Sequence, residues 1–210
     1  ESAQSVAFMS AALIGCGRID EGRRELATIY GADGGSTWPG SDSVTSAEGG
    51  QRLASWSAAL AEAELAEGNI DAGLAKYRQT LVVAGWPGAG IGPGPYETML
   101  ASAVVCAHAV HGKHDLIAQT VTELRAQAST RLHDFHDVPQ TGGVGVAVGG
   151  YLIASGDDSE LGLHLLALGI RCRARQDYPS TLLRTNIDAA RSVLGDEVVD
   201  GRLGADGAVG

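Results

Sequence analysis

The histidines are the residues of this chain that come closest to a metal-binding pattern. His108, His111 and His114 follow one another at intervals of three residues, and His133 and His136 come later. On one helix, such an interval brings two imidazoles close enough to bind one zinc ion. Because His114 follows the helix-breaking Gly112, the three do not share a face, and no nearby Cys or Glu completes a ligand set. We predict no metal site; a helical sensor or enzyme that binds a metal or a small molecule through this cluster is the alternative.

Three motifs that could support catalysis are incomplete. The run 143–148 begins like a dinucleotide fingerprint, but Val148 stands where the third glycine belongs. We predict instead that this run is a small-residue helix face that lets a neighbouring helix approach. Gly112-Lys113 lacks the Ser or Thr of a phosphate loop, and the sequence has no Gly-x-Ser-x-Gly motif of a serine nucleophile. We therefore predict no catalytic residue, no cofactor and no enzymatic activity.

Two groups of charged residues remain as candidates. Glu62, Glu64 and Glu67 are predicted to form a solvated helix face, because a paired acid and base would need burial to separate their pKa values. A set of arginines could bind an acidic peptide or a phosphate, although we predict that they balance the acidic surface. This set is Arg171, Arg173, Arg175, Arg184 and Arg191. His164 lies among leucines and is predicted to be packed.

The composition excludes several classes of protein. Of the 210 residues, 44% are hydrophobic and only 5% aromatic, which favours close helix packing over a β-sandwich. The net charge of −10 disfavours binding to nucleic acid or to an anionic membrane. No run of 18 apolar residues and no basic leader occurs, and Cys16, Cys106 and Cys172 are widely spaced, so we expect reduced core thiols in a cytoplasmic protein. Since the chain begins at Glu1 without a Met, we expect it to be a piece of a longer protein.

A repeated break organises the chain into helical pairs. Four segments begin with Gly17, Gly68, Gly112 and Gly156, at intervals of 51, 44 and 44 residues, and each has Asp or Ser three residues on. Glycine tolerates the left-handed conformation that ends a helix, and we predict that the Asp or Ser caps the next helix. Apolar residues at steps of three and four flank each break, so the two helices fold back as an antiparallel hairpin.

The predicted architecture is all-α, with about nine helices in stacked antiparallel pairs that form one repeat domain over residues 1–195. Its hairpins span about 3–30, 47–84, 95–131 and 140–174. A final helix runs over 180–194, capped by Ser180 and ended by Gly195. Long connections are predicted at 31–46, 85–95 and 133–143, and residues 196–210 are predicted to be a flexible tail.

The second repeat resembles the tetratricopeptide family. The matching positions are Ala61, Gly68, Asn69, Ile70, Asp71, Gly73, Tyr77, Leu81 and Pro87. The third repeat has Ile117 where that family has a small residue, and the fourth slips by one position, so that Gly162 takes the small position. The resemblance implies a right-handed α-α superhelix whose first helices line a concave groove.

The second half of the chain resembles the helical tail of large SARP-type transcriptional regulators. The run begins with Asp137-Val138-Pro139, continues through Ala154-Ser155-Gly156-Asp157 and Leu165-Leu166-Ala167-Leu168, and ends at Leu194-Gly195-Asp196. In that family a winged-helix DNA-binding domain and a bacterial transcriptional activation domain (BTAD) come first. The resemblance implies an interaction or sensor module that binds a partner domain, a peptide or an effector and makes no direct contact with nucleic acid.

Overall fold

Ten α-helices account for most of the residues that the structure describes. The computed structural model describes residues 3–30, 47–88, 94–135 and 137–207, and within these ranges it contains no strand. The helices are α1 (Ala3–Gly15), α2 (Ile19–Tyr30), α3 (Ala47–Ala66), α4 (Ile70–Ala84), α5 (Pro95–Val110), α6 (Ala118–Phe135), α7 (Val138–Ser155), α8 (Ser159–Arg171), α9 (Leu183–Leu194) and α10 (Asp196–Gly207). The prediction of an all-α protein is confirmed. The sequence predicted about nine helices, and the described residues contain ten. None of the described helices is long and apolar enough to cross a membrane.

The helices group into two compact units. The first comprises Glu1–Ile91 with the short segment Asp177–Pro179, and the second comprises Gly92–Gln176 with Ser180–Gly210. In the first unit the buried ring of Tyr178 lies 5.7 Å from the ring of Phe8. The single repeat domain over residues 1–195 stays a prediction.

The four predicted breaks are left-handed glycines. The φ angles of Gly17, Gly68, Gly112 and Gly156 are +79°, +84°, +65° and +75°. At the second break the amide of Gly68 donates to the carbonyl of Leu65 (3.0 Å) and the amide of Asn69 to that of Glu64 (2.9 Å). This Schellman pattern satisfies the last carbonyls of α3 and reverses the chain within two residues.

The predicted caps at these breaks are wrong. Asp20 and Asp71 lie inside the first turns of α2 and α4, and Asp115 lies in a 3-10 turn, His114–Ile117. At the fourth break the cap is Asp158, whose Oδ1 accepts from the amide of Leu161 at 3.0 Å, one residue before the predicted Ser159. The glycine turn is so tight that α2 and α4 begin two residues after it. The acidic residue three positions after the glycine therefore lies inside the first turn of the next helix. There its charge interacts favourably with the helix dipole, and its side chain does not cap the helix.

Three helix pairs share one close contact. A Cβ atom added to Gly22 of α2 would stand 2.9 Å from the carbonyl oxygen of Ser10 in α1. On Gly73 of α4 it would stand 3.0 Å from the carbonyl oxygen of Ala61, and on Gly162 of α8 2.9 Å from that of Gly149. Real Cβ atoms almost never come this close to another atom, and each of the three would also meet a side-chain carbon at 2.7 Å. Each pair therefore packs as closely as it does because its second helix has a glycine there. The slip to Gly162 agrees with the sequence prediction.

The third pair does not form a close hairpin. Ile117 occupies the position of the small residue and is buried, and the 3-10 turn that it ends separates α5 from α6. Helix α5 packs mainly against α7, and α6 makes only light contacts with both. The hairpin predicted over 95–131 is therefore wrong as a pairing, since the isoleucine side chain fills the space that close approach would need.

The connection predicted over residues 133–143 is much shorter than expected. Helix α6 extends to Phe135 and α7 begins at Val138. Asp137 caps α7 by accepting from the amide of Gln140 at 2.9 Å, and Pro139 lies in the first turn, where no amide hydrogen is needed. The connection predicted over residues 31–46 lies outside the described residues, as does the 89–93 part of the connection predicted over 85–95.

The C-terminal region is more ordered than predicted. Helix α9, which the sequence predicted to be the last, ends at Leu194 before Gly195 (φ +87°), as expected. Ser180 is not its cap, because it lies in a 3-10 turn, Pro179–Thr181, ahead of the helix. The predicted tail over 196–210 is instead helical as far as Gly207, because α10 packs on α8 and α9 and buries Val199 completely.

Candidate binding cavity

A half-open cavity of about 170 Å³ lies within the second unit, between the end of α5, the second half of α7, and α9. Its wall is mostly carbon. Val110, Ile153 and Val193 contribute branched side chains, and four alanines supply most of the remainder: Ala109, Ala154, Ala189 and Ala190. Small side chains on three meeting helices leave this space, because none reaches across to a neighbouring helix.

Gly150 keeps the α7 side of the cavity open. An added Cβ would stand 3.8 Å from the Cβ of Ala109 and 3.5 Å from Oδ1 of Asn186, which are ordinary contacts. Nothing in the helix packing therefore demands glycine at this position. Its absence of a side chain adds to the volume of the cavity instead.

Asn186 is the polar group buried in this wall, with 2% of its surface exposed. Its Nδ2 donates to the carbonyls of Ser180 and Leu182, both at 2.9 Å, which sets the orientation of the amide. Oδ1 accepts no hydrogen bond from the described part of the chain, and it lies toward Gly150. This oxygen borders the half-open cavity, where it can accept a hydrogen bond from water or from a ligand that donates.

The wall offers no group for acid–base chemistry. Among the described residues that line the cavity, none has a titratable side chain. Sequence analysis missed this site. One signal was available: Asn186 shares a helix face with Ala189, Ala190 and Val193, where an apolar residue is expected.

The histidines occupy three different environments. His108 is fully buried in α5, with Nδ1 2.8 Å from the carbonyl of Val104. His111 caps the end of α5, and partial burial lowers its pKa. His114 lies in the 3-10 turn with its ring edge-on to Tyr151, at 6.3 Å. Within the described ranges no three His, Cys, Asp or Glu side chains form a group that could hold a metal ion.

The remaining histidines are His133, His136 and His164. His136 and the side chain of His133 lie outside the described residues. His164 is exposed, which corrects the prediction that it is packed, and it contacts Arg202. The apolar face of α8 turns Leu163 and Leu166 inward, and His164 falls on the opposite side of the helix.

The predicted arginine set is partly neutralised. Arg191 bonds to Asp188 (3.1 Å) and Asp200 (2.6 Å), and Arg184 lies 3.8 Å from Asp188. These two agree with the prediction that the arginines balance acidic groups. The other three, Arg171, Arg173 and Arg175, are exposed around the end of α8.

The solvated face predicted for three glutamates is wrong at Glu62, whereas Glu64 is partly exposed and Glu67 is exposed. Glu62 is buried and accepts a hydrogen bond from the hydroxyl of the buried Tyr77. Arg23 of α2 forms a two-bond pair with Glu67, both bonds at 2.7 Å, and a third bond to Glu64 at 3.0 Å. Burial alone would raise the pKa of Glu64, but hydrogen bonds from Arg23 and Asn69 outweigh it and lower the pKa. The ion pairs of Arg23 with Glu64 and Glu67 link the hairpin α1/α2 to the hairpin α3/α4 within the first unit.

The small-residue face predicted over 143–148 is confirmed at Gly145 but not at Gly143, where an added Cβ would meet nothing within 4 Å. A Cβ on Gly145 would stand 3.1 Å from the carbonyl oxygen of Leu165, so α8 lies directly against this face of α7. The cysteines are all free, but only Cys106 belongs to the core, since Cys172 is half-buried and Cys16 exposed.

Comparison with family models, with curated proteins and with solved structures finds no match for this chain.

Proposed function

We propose that this chain is a non-enzymatic recognition module, the sensor and interaction part of a multidomain transcriptional regulator. The cavity between α5, α7 and α9 is the observation that carries the proposal. Its described wall has an amide oxygen, Oδ1 of Asn186, that is left to accept a hydrogen bond, and no titratable side chain to serve as acid, base or nucleophile. Such a wall can bind and discriminate an effector, and it offers no group to transform one.

The regulator context rests on the resemblance of residues 137–196 to the tail of SARP-type regulators. The net charge of −10 supports leaving DNA contact to another part of the parent protein. In this proposal the chain works in the cytoplasm, and its protein partner is another domain of the parent or a peptide held in a tetratricopeptide-like groove.

Binding in the cavity would act on helix arrangement. The three helices that line it come from separate parts of the sequence, residues 95–110, 138–155 and 183–194. A ligand that binds only when α9 is docked on α5 and α7 stabilises that arrangement by mass action. A partner domain that senses the docked arrangement would then change its own activity.

The test uses the natural reading frame upstream of residue 1 and a transcription reporter. Ala154→Leu places a larger side chain in the cavity, whereas Ala126→Leu makes the same change on the exposed side of α6. We expect the first variant to change reporter output at least threefold and the second to match the unaltered protein, with circular dichroism confirming that both fold.

Two outcomes would overturn the proposal. An upstream frame without a DNA-binding domain removes the regulator context. Equal reporter output from both folded variants and the unaltered regulator removes recognition through the cavity.

A further inference from the structure

The size of the cavity limits what it can take. Its volume of about 170 Å³ is close to that of engineered protein cavities on the order of 150 Å³, which bind benzene. A single six-membered ring or a short branched chain therefore fills it, and a larger molecule would extend beyond it into solvent.

The chemistry of the wall sets the charge and polarity of the ligand. Both hydrogens of the Asn186 amide are used within the chain, and Oδ1 is left to accept. The hydroxyl of Ser192 already donates to the carbonyl of Asp188 at 2.9 Å. These two polar side chains thus offer acceptors and no spare donor, and the described wall holds no charge to pair with an ion.

We propose that this cavity binds a small neutral molecule that has an apolar body of about one ring and a single O–H or N–H donor directed at Oδ1 of Asn186. The apolar body packs against Gly150, Ile153 and Ala190. This inference rests on the proposed recognition function and names the chemical class that the site selects.

Phenol and toluene test the proposal as a matched pair, because a methyl group replaces the hydroxyl and the two molecules have nearly the same size. The 210-residue chain is titrated with each compound, and binding is followed by NMR shifts of the amides of Gly150 and Asn186. We expect phenol to bind at least tenfold more tightly than toluene, because toluene excludes water from Oδ1 of Asn186 without offering a donor in its place.

Two variants locate the binding. Ala154→Leu should weaken phenol binding at least tenfold by occupying the cavity, and Ala126→Leu should leave it unchanged. Toluene binding as tight as phenol would overturn the donor requirement, while the cavity and the proposed function would stand. No phenol binding up to its solubility, or binding that Ala154→Leu does not weaken, would overturn the ligand class, and the reporter experiment would still decide the proposed function separately.

Discussion

The pair α3/α4 and the pair α5/α6 begin with the same local signal and end with different packing. Both have a left-handed glycine after the first helix, Gly68 and Gly112. Five residues later the first pair has Gly73 and the second has Ile117. Helix α4 packs closely against α3, whereas α5 packs mainly against α7. In both pairs the glycine ends the first helix, and the small or large residue that follows it, Gly73 or Ile117, distinguishes the pair that packs closely from the pair that does not.

Removing the isoleucine side chain is the strongest test of this comparison. Ile117 is 2% exposed, so Ile117→Ala leaves a buried space that the 3-10 turn cannot fill by small movements. We expect a loss of about 3 kcal/mol in the free energy of unfolding, measured by urea denaturation. A loss below about 1 kcal/mol would contradict a core-filling role for this residue.

Adding a side chain at the equivalent glycine should also destabilise. In Gly162→Ala the new Cβ would meet the carbonyl oxygen of Gly149 at 2.9 Å and Cγ1 of Ile153 at 2.7 Å. We expect a loss of about 2 kcal/mol by the same measurement, because helix backbones must move apart. Neutral or increased stability would show that α7 and α8 separate without cost, and the close contact would then not explain the difference between pairs.

The ion pairs of Arg23 bear on how the glycine-packed hairpins are held to each other. Arg23→Ala removes the bonds to Glu64 and Glu67 and should lower stability by about 1 kcal/mol at neutral pH, since the groups are partly exposed to water and salt. Ala126→Leu, a change on the exposed side of α6, serves as the surface control for the measurement of unfolding free energy.

This contribution should depend on pH in one direction. Because the folded state lowers the pKa of Glu64, its stabilisation is present above the unfolded pKa and is lost as pH falls through the folded value. The difference between the unaltered chain and Arg23→Ala should therefore shrink as pH falls from about 5 towards 3. A difference that stays constant over this range would show that the alkyl part of Arg23, and not its charge, provides the stabilisation.

The smallest expected effect has the opposite sign. Gly143 lies in α7, and an added Cβ would meet nothing within 4 Å. Gly143→Ala should therefore stabilise the protein by about 0.5–1 kcal/mol, because alanine loses less entropy in a helix. The same Gly→Ala change thus has opposite signs at Gly143 and Gly162, and thermal unfolding of the two variants side by side measures the difference.

Much of the hairpin pattern could be predicted from the sequence, and the cavity could not. The breaks at Gly17, Gly68 and Gly156 mark close pairs because their determinants lie within one or two turns of chain. Asn186 gave only a weak signal, since a single Asn on a helix does not show which helix lies opposite it, and only the structure places its Oδ1 beside Gly150. The helix over Asp196–Gly207 was missed because its glycine- and aspartate-rich sequence gains its order from burying Val199 against other helices.

By itself the sequence determined that the chain is all-helical and where it reverses, because a left-handed glycine and apolar spacing act within one or two turns of the backbone. Only the tertiary structure decided which helices pack together, and α5 packs mainly against α7. It also decided which polar side chains are buried, among them Glu62 and Asn186. Those outcomes depend on volumes contributed by residues distant in the chain, and no local pattern carries that information.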